Sequence, residues 1–227
     1  MKKTKFYGEL SYLLGLLVLA LGTALMEKAN FGMSMVVAPA YLIYLKISQT
    51  ITFFTFGMAE YLLQAALLVL LGLVLRQFKV SFLFSFVTAV LYGNCLDLAM
   101  AALHPLLAQS ILLRVIFYVV GMVLCSLGVS LLIHTYLAPE AYELFVKKVA
   151  EKWKLDFSRC KTVYDCVSCG IAILLSFAFF GLGHFEGVKW GTILCALVNG
   201  TLIGGCSRWL EAHFDFPARL PIRQYFE

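Results

Sequence analysis

Apolar stretches separated by short polar breaks make up most of the chain. Six are long enough to cross a bilayer, at about 20 residues each. They cover residues 7–27, 51–75, 80–103, 109–134, 161–183 and 188–210. Two shorter segments interrupt this series. Ser34 to Lys46 is almost uncharged and carries Pro39; the break Ala29-Asn30-Phe31-Gly32-Met33-Ser34 precedes it. Residues 139–154 begin with Pro139, which suits a first helical position, and Glu140 and Glu143 fall in the first turn. Lys147, Lys148 and Lys152 come after them, complementing the helix dipole, with Glu143 in reach of Lys147. Tyr142, Phe145, Val146, Val149 and Trp153 form a stripe at helical spacing. The pattern predicts an amphipathic helix lying on the membrane interface. Its uncharged counterpart is expected to be more deeply buried.

The pattern is also written twice. Tyr12-x2-Gly15-x6-Gly22 recurs as Tyr118-x2-Gly121-x6-Gly128, and Ala38-Pro39-Ala40-Tyr41 echoes Ala138-Pro139-Glu140-Ala141-Tyr142. Each copy holds three spanning segments, so the second must run upside down relative to the first. The expected fold is all-α: a polytopic membrane protein of six transmembrane helices in two inverted three-helix repeats, each with a short interfacial or re-entrant helix. One membrane domain covers 1–227, with a first repeat at 7–103, a second at 109–211 and a cytoplasmic tail at 212–227. The glycine pairs, and Gly200-x3-Gly204, are read as close helix contacts.

Composition agrees: 62% of the 227 residues are hydrophobic and 14% charged. Soluble domains carry roughly 25% charged residues, so lipid must be the solvent here. Charge placement sets the orientation. One side receives Lys2, Lys3, Lys5, Arg76, Lys79, Lys147, Lys148, Lys152, Lys154, Arg159, Lys161, Arg208, Arg219 and Arg223; the other keeps Lys28, Lys46, Arg114 and Lys189. Both termini are therefore expected in the cytoplasm, and the net charge of +5 needs no nucleic acid. Lys2-Lys3-Thr4-Lys5 before an apolar run has the look of a signal peptide. The run is too long, lacks a clean A-x-A site, and has a spanning twin at 109–134, so it is read as a retained helix. Cys166-x2-Cys169 has no second pair to complete a metal or redox site and is read as helix packing.

Ionisable groups inside spanning helices are expensive and mark candidate sites. Glu60, with Gln64 one turn on, matches Asp165, with Cys169 one turn on, at equivalent places in the two copies. In an inverted arrangement Glu60 lies towards the outside and Asp165 towards the cytoplasm. Asn94 and Asp97 share a face of the third span; the matching stretch of the sixth carries Asn199 and no acid. The candidate substrate-binding set is Asn30, Ser34, Glu60, Gln64, Asn94, Asp97, Asp165 and Asn199. Arg114 is the expected charge partner of the outer acids Glu27, Glu60 and Asp97. Their surplus over Arg114 and Lys28 favours a cationic or zwitterionic ligand, or a proton. His134 is a weak candidate for proton relay.

Leu21-Gly22-Thr23-Ala24-Leu25, with Lys28-Ala29-Asn30-Phe31-Gly32-Met33-Ser34 after it, and Gly93 through Asp97 resemble the YczE/YyaS/YitT-type bacterial membrane proteins. Those commonly carry Pro-Trp-Asp after the loop glycine; here Met33 to Pro39 has neither Trp nor Asp. The resemblance implies a bacterial polytopic protein of the cytoplasmic membrane and supplies no reaction.

The leading functional expectation is a small secondary transporter or permease. It would move a small polar or cationic solute by alternating access between the repeats. The alternative is a substrate-binding or accessory membrane subunit that neither transports nor catalyses and works with a partner docked on 139–154. Protease, esterase and phosphate-loop motifs are missing, so no enzyme activity and no cofactor is expected. The expected partners are the lipid bilayer and an unknown small solute, with a homodimer or a partner subunit left open.

Overall fold

A computed structural model describes residues 4–77, 81–106, 110–155, 157–183 and 185–217. It holds eight helices: α1 (Gly8–Ala29), α2 (Ala38–Ile47), α3 (Phe56–Leu75), α4 (Ser81–Leu103), α5 (Ile111–Ile133), α6 (Ala141–Trp153), α7 (Phe157–Phe180) and α8 (Trp190–His213). Six of them are long and apolar enough to cross a membrane. They match the six spans expected from the sequence, and the fold is that of a multi-pass membrane protein. Two short strands, β1 (Thr4–Lys5) and β2 (Phe214–Asp215), pair in parallel and join the first helix to the last.

Local chemistry sets the helix ends. The Thr55 and Ser110 side chains accept hydrogen bonds from Met58 N–H and Leu113 N–H, capping α3 and α5. Asn30, Arg76 and Lys154 adopt left-handed conformations that end α1, α3 and α6. Gly32, at φ 105°, lets the chain turn back after α1.

The α1–α5 crossing is the centre of the molecule, and the duplicated glycines build it. A Cβ on Gly22 would lie 2.8 Å from Gly121 O, and one on Gly121 would lie 2.8 Å from Gly22 O. A Cβ on Gly15 would meet Gly128 O at 3.1 Å, and one on Gly128 would meet Gly15 O at 2.9 Å. The two helices therefore cross antiparallel with backbone against backbone. Gly57 and Gly93 make a similar approach between α3 and α4. The Gly200-x3-Gly204 contact expected from sequence does not form: among the described residues nothing lies within 4 Å of a Cβ at Gly170, Gly200 or Gly204. Those glycines lie on α7 and α8, the least buried spans.

The two short helices lie across the boundary between the halves. Ala141 N–H donates to Gln64 Oε1, and Lys152 Nζ donates to Val74 O at the end of α3. Hence α6 runs beside the second half of α3, in the same direction. Met35 and Val36, just before α2, pack with Tyr142, Leu63, Tyr164 and Cys169, and Lys46 Nζ donates to Phe179 O at the end of α7. Hence α2 runs beside the second half of α7. Each short helix starts in the interior and leaves towards one face.

This corrects the surface reading of α6. Ala141, Tyr142, Leu144, Val146 and Ala150 are buried, whereas Trp153 of the expected stripe is exposed. Glu143 pairs with Lys161 on α7, and the pair within α6 is Lys148 with Glu151. Ala141 and Leu144 face α3, and Glu143 faces α7. The hydrophobic period alone did not report which face would be covered.

Candidate functional site

The start of α6, the first half of α3 and the first half of α7 enclose the most acidic part of the interior. Glu60 and Gln64 on α3 are 0% exposed, and Glu140 is 5% exposed. Tyr142 Oη donates to Glu60 Oε2 at 2.8 Å. Gln64 Oε1 accepts from Ala141 N–H at 3.0 Å, so the amide is anchored to the first residue of α6. Lys161 Nζ lies 3.2 Å from Asp165 Oδ1 and 3.9 Å from Glu143 Oε1. The site thus gathers Glu60, Glu140, Glu143 and Asp165, with one lysine pairing the last two.

Four polar atoms here are buried without a hydrogen bond: Glu60 Oε1, Gln64 Nε2, Glu140 Oε1 and Asp165 Oδ1, the last held by the Lys161 charge alone. Orphaned groups of this kind cost roughly 1–3 kcal/mol each. Burial pushes the Glu140 carboxyl well above its ordinary value; Glu143 and Glu60 add to the rise, and Lys161 opposes it. Glu143 is also raised, first by burial, with Lys161 opposing. Burial and the Glu60 carboxylate raise the Tyr142 phenol, which therefore stays a donor. Buried carboxyls of raised proton affinity can hold a proton or pair with a cation. No group of three or more His, Cys, Asp or Glu side chains is arranged to hold a metal ion among the described residues.

The expected site residues separate into two groups. Glu60, Gln64 and Asp165 all lie at this place, whereas their matched positions had set Glu60 towards the outside and Asp165 towards the cytoplasm. Asn30, Asn94, Asp97 and Asn199 are engaged elsewhere, while Ser34 stands just before Met35 and Val36, which pack with Tyr142 and Tyr164. Asp97 caps α3: its Oδ1 accepts from Gly57 N–H at 2.8 Å and its Oδ2 from the Thr55 hydroxyl at 2.6 Å. Asn94 is exposed and donates to Val90 O in its own helix. Asn199 Oδ1 accepts from the Ser126 hydroxyl, tying α8 to α5. Asn30 ends α1 and accepts from Lys189 Nζ. Ser34 lies in the turn before α2, its carbonyl accepting from Val37 and Ala38 N–H.

The groups holding Glu60 and Asp97 are a phenol, a hydroxyl and a backbone amide. His134 bonds Ser130 O and Glu211 Oε1, fastening the end of α5 to α8, outside the acid cluster.

Sequence reasoning missed Glu140, Glu143, Lys161 and Tyr142 as site residues. One signal was available: Lys161 and Asp165 stand at i,i+4 near the start of a span, where an isolated charge is costly.

The capping role of Asp97 can be checked directly. Asp97→Asn should lower the thermal midpoint through loss of the α3 cap, a cost of about 0.5–2 kcal/mol. It should leave any ligand-induced shift unchanged. A variant of normal stability that fails to respond to ligand would return Asp97 to the binding set.

The fold and its buried acids define a polytopic membrane protein with a charged interior. The chain belongs to a family of unknown function, DUF6198, whose model matches residues 6–208. No curated protein and no solved structure matches it.

Proposed function

We propose that this chain is a small secondary transporter of a polar or cationic solute, built as two inverted repeats that expose the acid cluster to each side in turn. The observation that carries this reading is the exchange of short helices between halves. Helix α6 lies along α3 and α2 lies along α7, each ending with a lysine that donates to a carbonyl at the end of its neighbour. The glycine contacts of α1 and α5 exchange in the same way: Gly15 with Gly128, and Gly121 with Gly22. Two interlocked halves of opposite direction, with short helices starting beside a buried charged site, suit alternating access. The lysine and arginine distribution favours termini in the cytoplasm. The likeness to YczE/YyaS/YitT-type proteins favours a bacterial cytoplasmic membrane.

The test is a ligand screen and then a flux assay. The protein in mild detergent is heated against a panel of metabolites and ions. A ligand of the folded state raises the midpoint with concentration. Any hit is then taken into proteoliposomes holding wild type or Glu60→Gln. Uptake is expected in wild type and its loss in Glu60→Gln, with both proteins equally folded. Equal uptake by the two proteins would remove Glu60 from the path. Binding without uptake in wild type would leave a solute-binding protein and end the transporter reading.

A further inference from the structure

The acid cluster already holds one ammonium group, that of Lys161. Asp165 and Glu143 flank its Nζ at 3.2 Å and 3.9 Å, and the centre of the Tyr164 ring lies 5.6 Å away. Carboxylates on two sides and an aromatic face on a third make an ammonium cage. The lysine leaves much of the cluster unused. Glu60 Oε1, Glu140 Oε1 and Asp165 Oδ1 are buried acceptors without a well-formed hydrogen bond, and Gln64 Nε2, one turn from Glu60 and in contact with it, is a fully buried donor without one. Gln64 cannot turn away without breaking the bond from Ala141 N–H to its Oε1. Three such acceptors and one such donor fit a small molecule that brings N–H donors and, beside them, an oxygen acceptor.

We propose that this cluster recognises a solute carrying a primary ammonium group next to a hydroxyl or carbonyl oxygen, and that the solute's ammonium displaces Lys161 Nζ from its carboxylates. Four carboxyl groups with one ammonium leave no surplus positive charge to attract an anion. The orphaned atoms argue against a quaternary cation, which has no N–H to offer them. Lysine suits the displaced role: its ammonium sits on a flexible four-carbon stem, so it can leave while α7 stays in place. Asp165 and Glu143 then pass from an internal to a bound ammonium without either being left unpaired in the interior. The inference rests on the transporter reading only for the steps after binding.

Protons compete for the same carboxyls. The titratable and charged groups that meet here are Glu60 of α3, Glu140, Tyr142 and Glu143 at the start of α6, Lys161, Tyr164 and Asp165 of α7, and Tyr92 of α4, with Cys195 of α8 in electrostatic reach of Lys161 and Asp165. Burial favours the protonated forms of Glu140 and Glu143, so cation binding should weaken as pH falls.

The experiment uses the detergent-solubilised full chain, with ethanolammonium and tetramethylammonium chlorides as probes. Ethanolammonium should raise the thermal midpoint saturably, more at pH 8 than at pH 6, and tetramethylammonium should not. Lys161→Met removes the internal competitor and should lower the half-saturating ethanolammonium concentration roughly tenfold. If that variant does not fold, the two cations and two pH values in wild type decide alone. Equal shifts with both cations, or none with either, would overturn the proposal. Failure here is separable from failure of transport. Ethanolammonium binding without entry into proteoliposomes would keep this inference and end the transporter reading. A different solute carried in a Glu60-dependent way, with no ethanolammonium shift, would do the reverse.

Discussion

Leucine at Gly121 is expected to stop α1 and α5 from closing and to remove most of the folded protein. At Gly121 a Cβ alone would lie 2.8 Å from Gly22 O, 2.8 Å from Met26 Cγ and 3.1 Å from Met26 N. Two of those atoms are backbone, and backbone cannot rotate aside. Inserting methylenes into a well-packed core typically costs about 1–3 kcal/mol, and more where the obstacle is rigid. This crossing is also where four glycines let two spans approach, so separating them loses the van der Waals packing that holds membrane helices together. Gly200→Leu is the matched control. Nothing described lies within 4 Å of its Cβ, so its effect should stay within about 0.5 kcal/mol. Gel-filtration profiles and thermal midpoints after mild extraction would compare the two. Similar profiles for both variants would mean that the α1–α5 contact does not hold the molecule together.

Glu140→Gln is expected to stabilise the protein, and increasingly so as pH rises. Burial raises the proton affinity of Glu140, and the carboxylates of Glu143 and Glu60 raise it further. The folded state therefore keeps a proton that the unfolded chain releases above the ordinary glutamate value of about 4.3. The contribution of Glu140 to stability is fully present below that value. It is lost as pH rises through the folded-state value, at about 1.4 kcal/mol per pH unit over the interval. Glutamine mimics the protonated acid and has nothing to lose. Wild type and variant should melt together near pH 4 and diverge above it, with the variant higher. Parallel melting curves across the whole range would show that Glu140 is ionised and satisfied in the fold.

These two positions differ in how plainly the sequence marked them. The glycine contacts were legible because a repeated Gly-x6-Gly spacing puts both residues on one helix face, and a small face in a membrane is used for packing. Glu60 was legible because lipid makes a mid-span carboxyl costly wherever it goes. Glu140 was hidden. Its neighbours read as a charged surface helix, and the same alternation serves a helix with one face buried in protein and the other in water. Only the return of residues 134–140 towards Gln64 decides between them, and that is a tertiary fact. Asp97 was misread for the opposite reason. The sequence marked it as a membrane acid needing a partner, and the partner turned out to be the start of α3. The Thr55 cap and Gly57 were visible in the sequence, but nothing local linked them to residue 97.

The crossed placement of the short helices has a consequence for synthesis. Helix α2 ends at Ile47, and its neighbour α7 begins at Phe157, more than a hundred residues later. At translation rates of about 5–20 residues per second, α2 waits on the order of ten seconds for the surface it will cover. During that wait the first half has inserted without its final interior, and α2 needs temporary shelter from lipid or from the insertion machinery. The second half has no such delay, because α3 is already present when α6 emerges. A chain severed between α4 and α5 should therefore yield two pieces that mature only together, the earlier one being the more exposed to proteolysis.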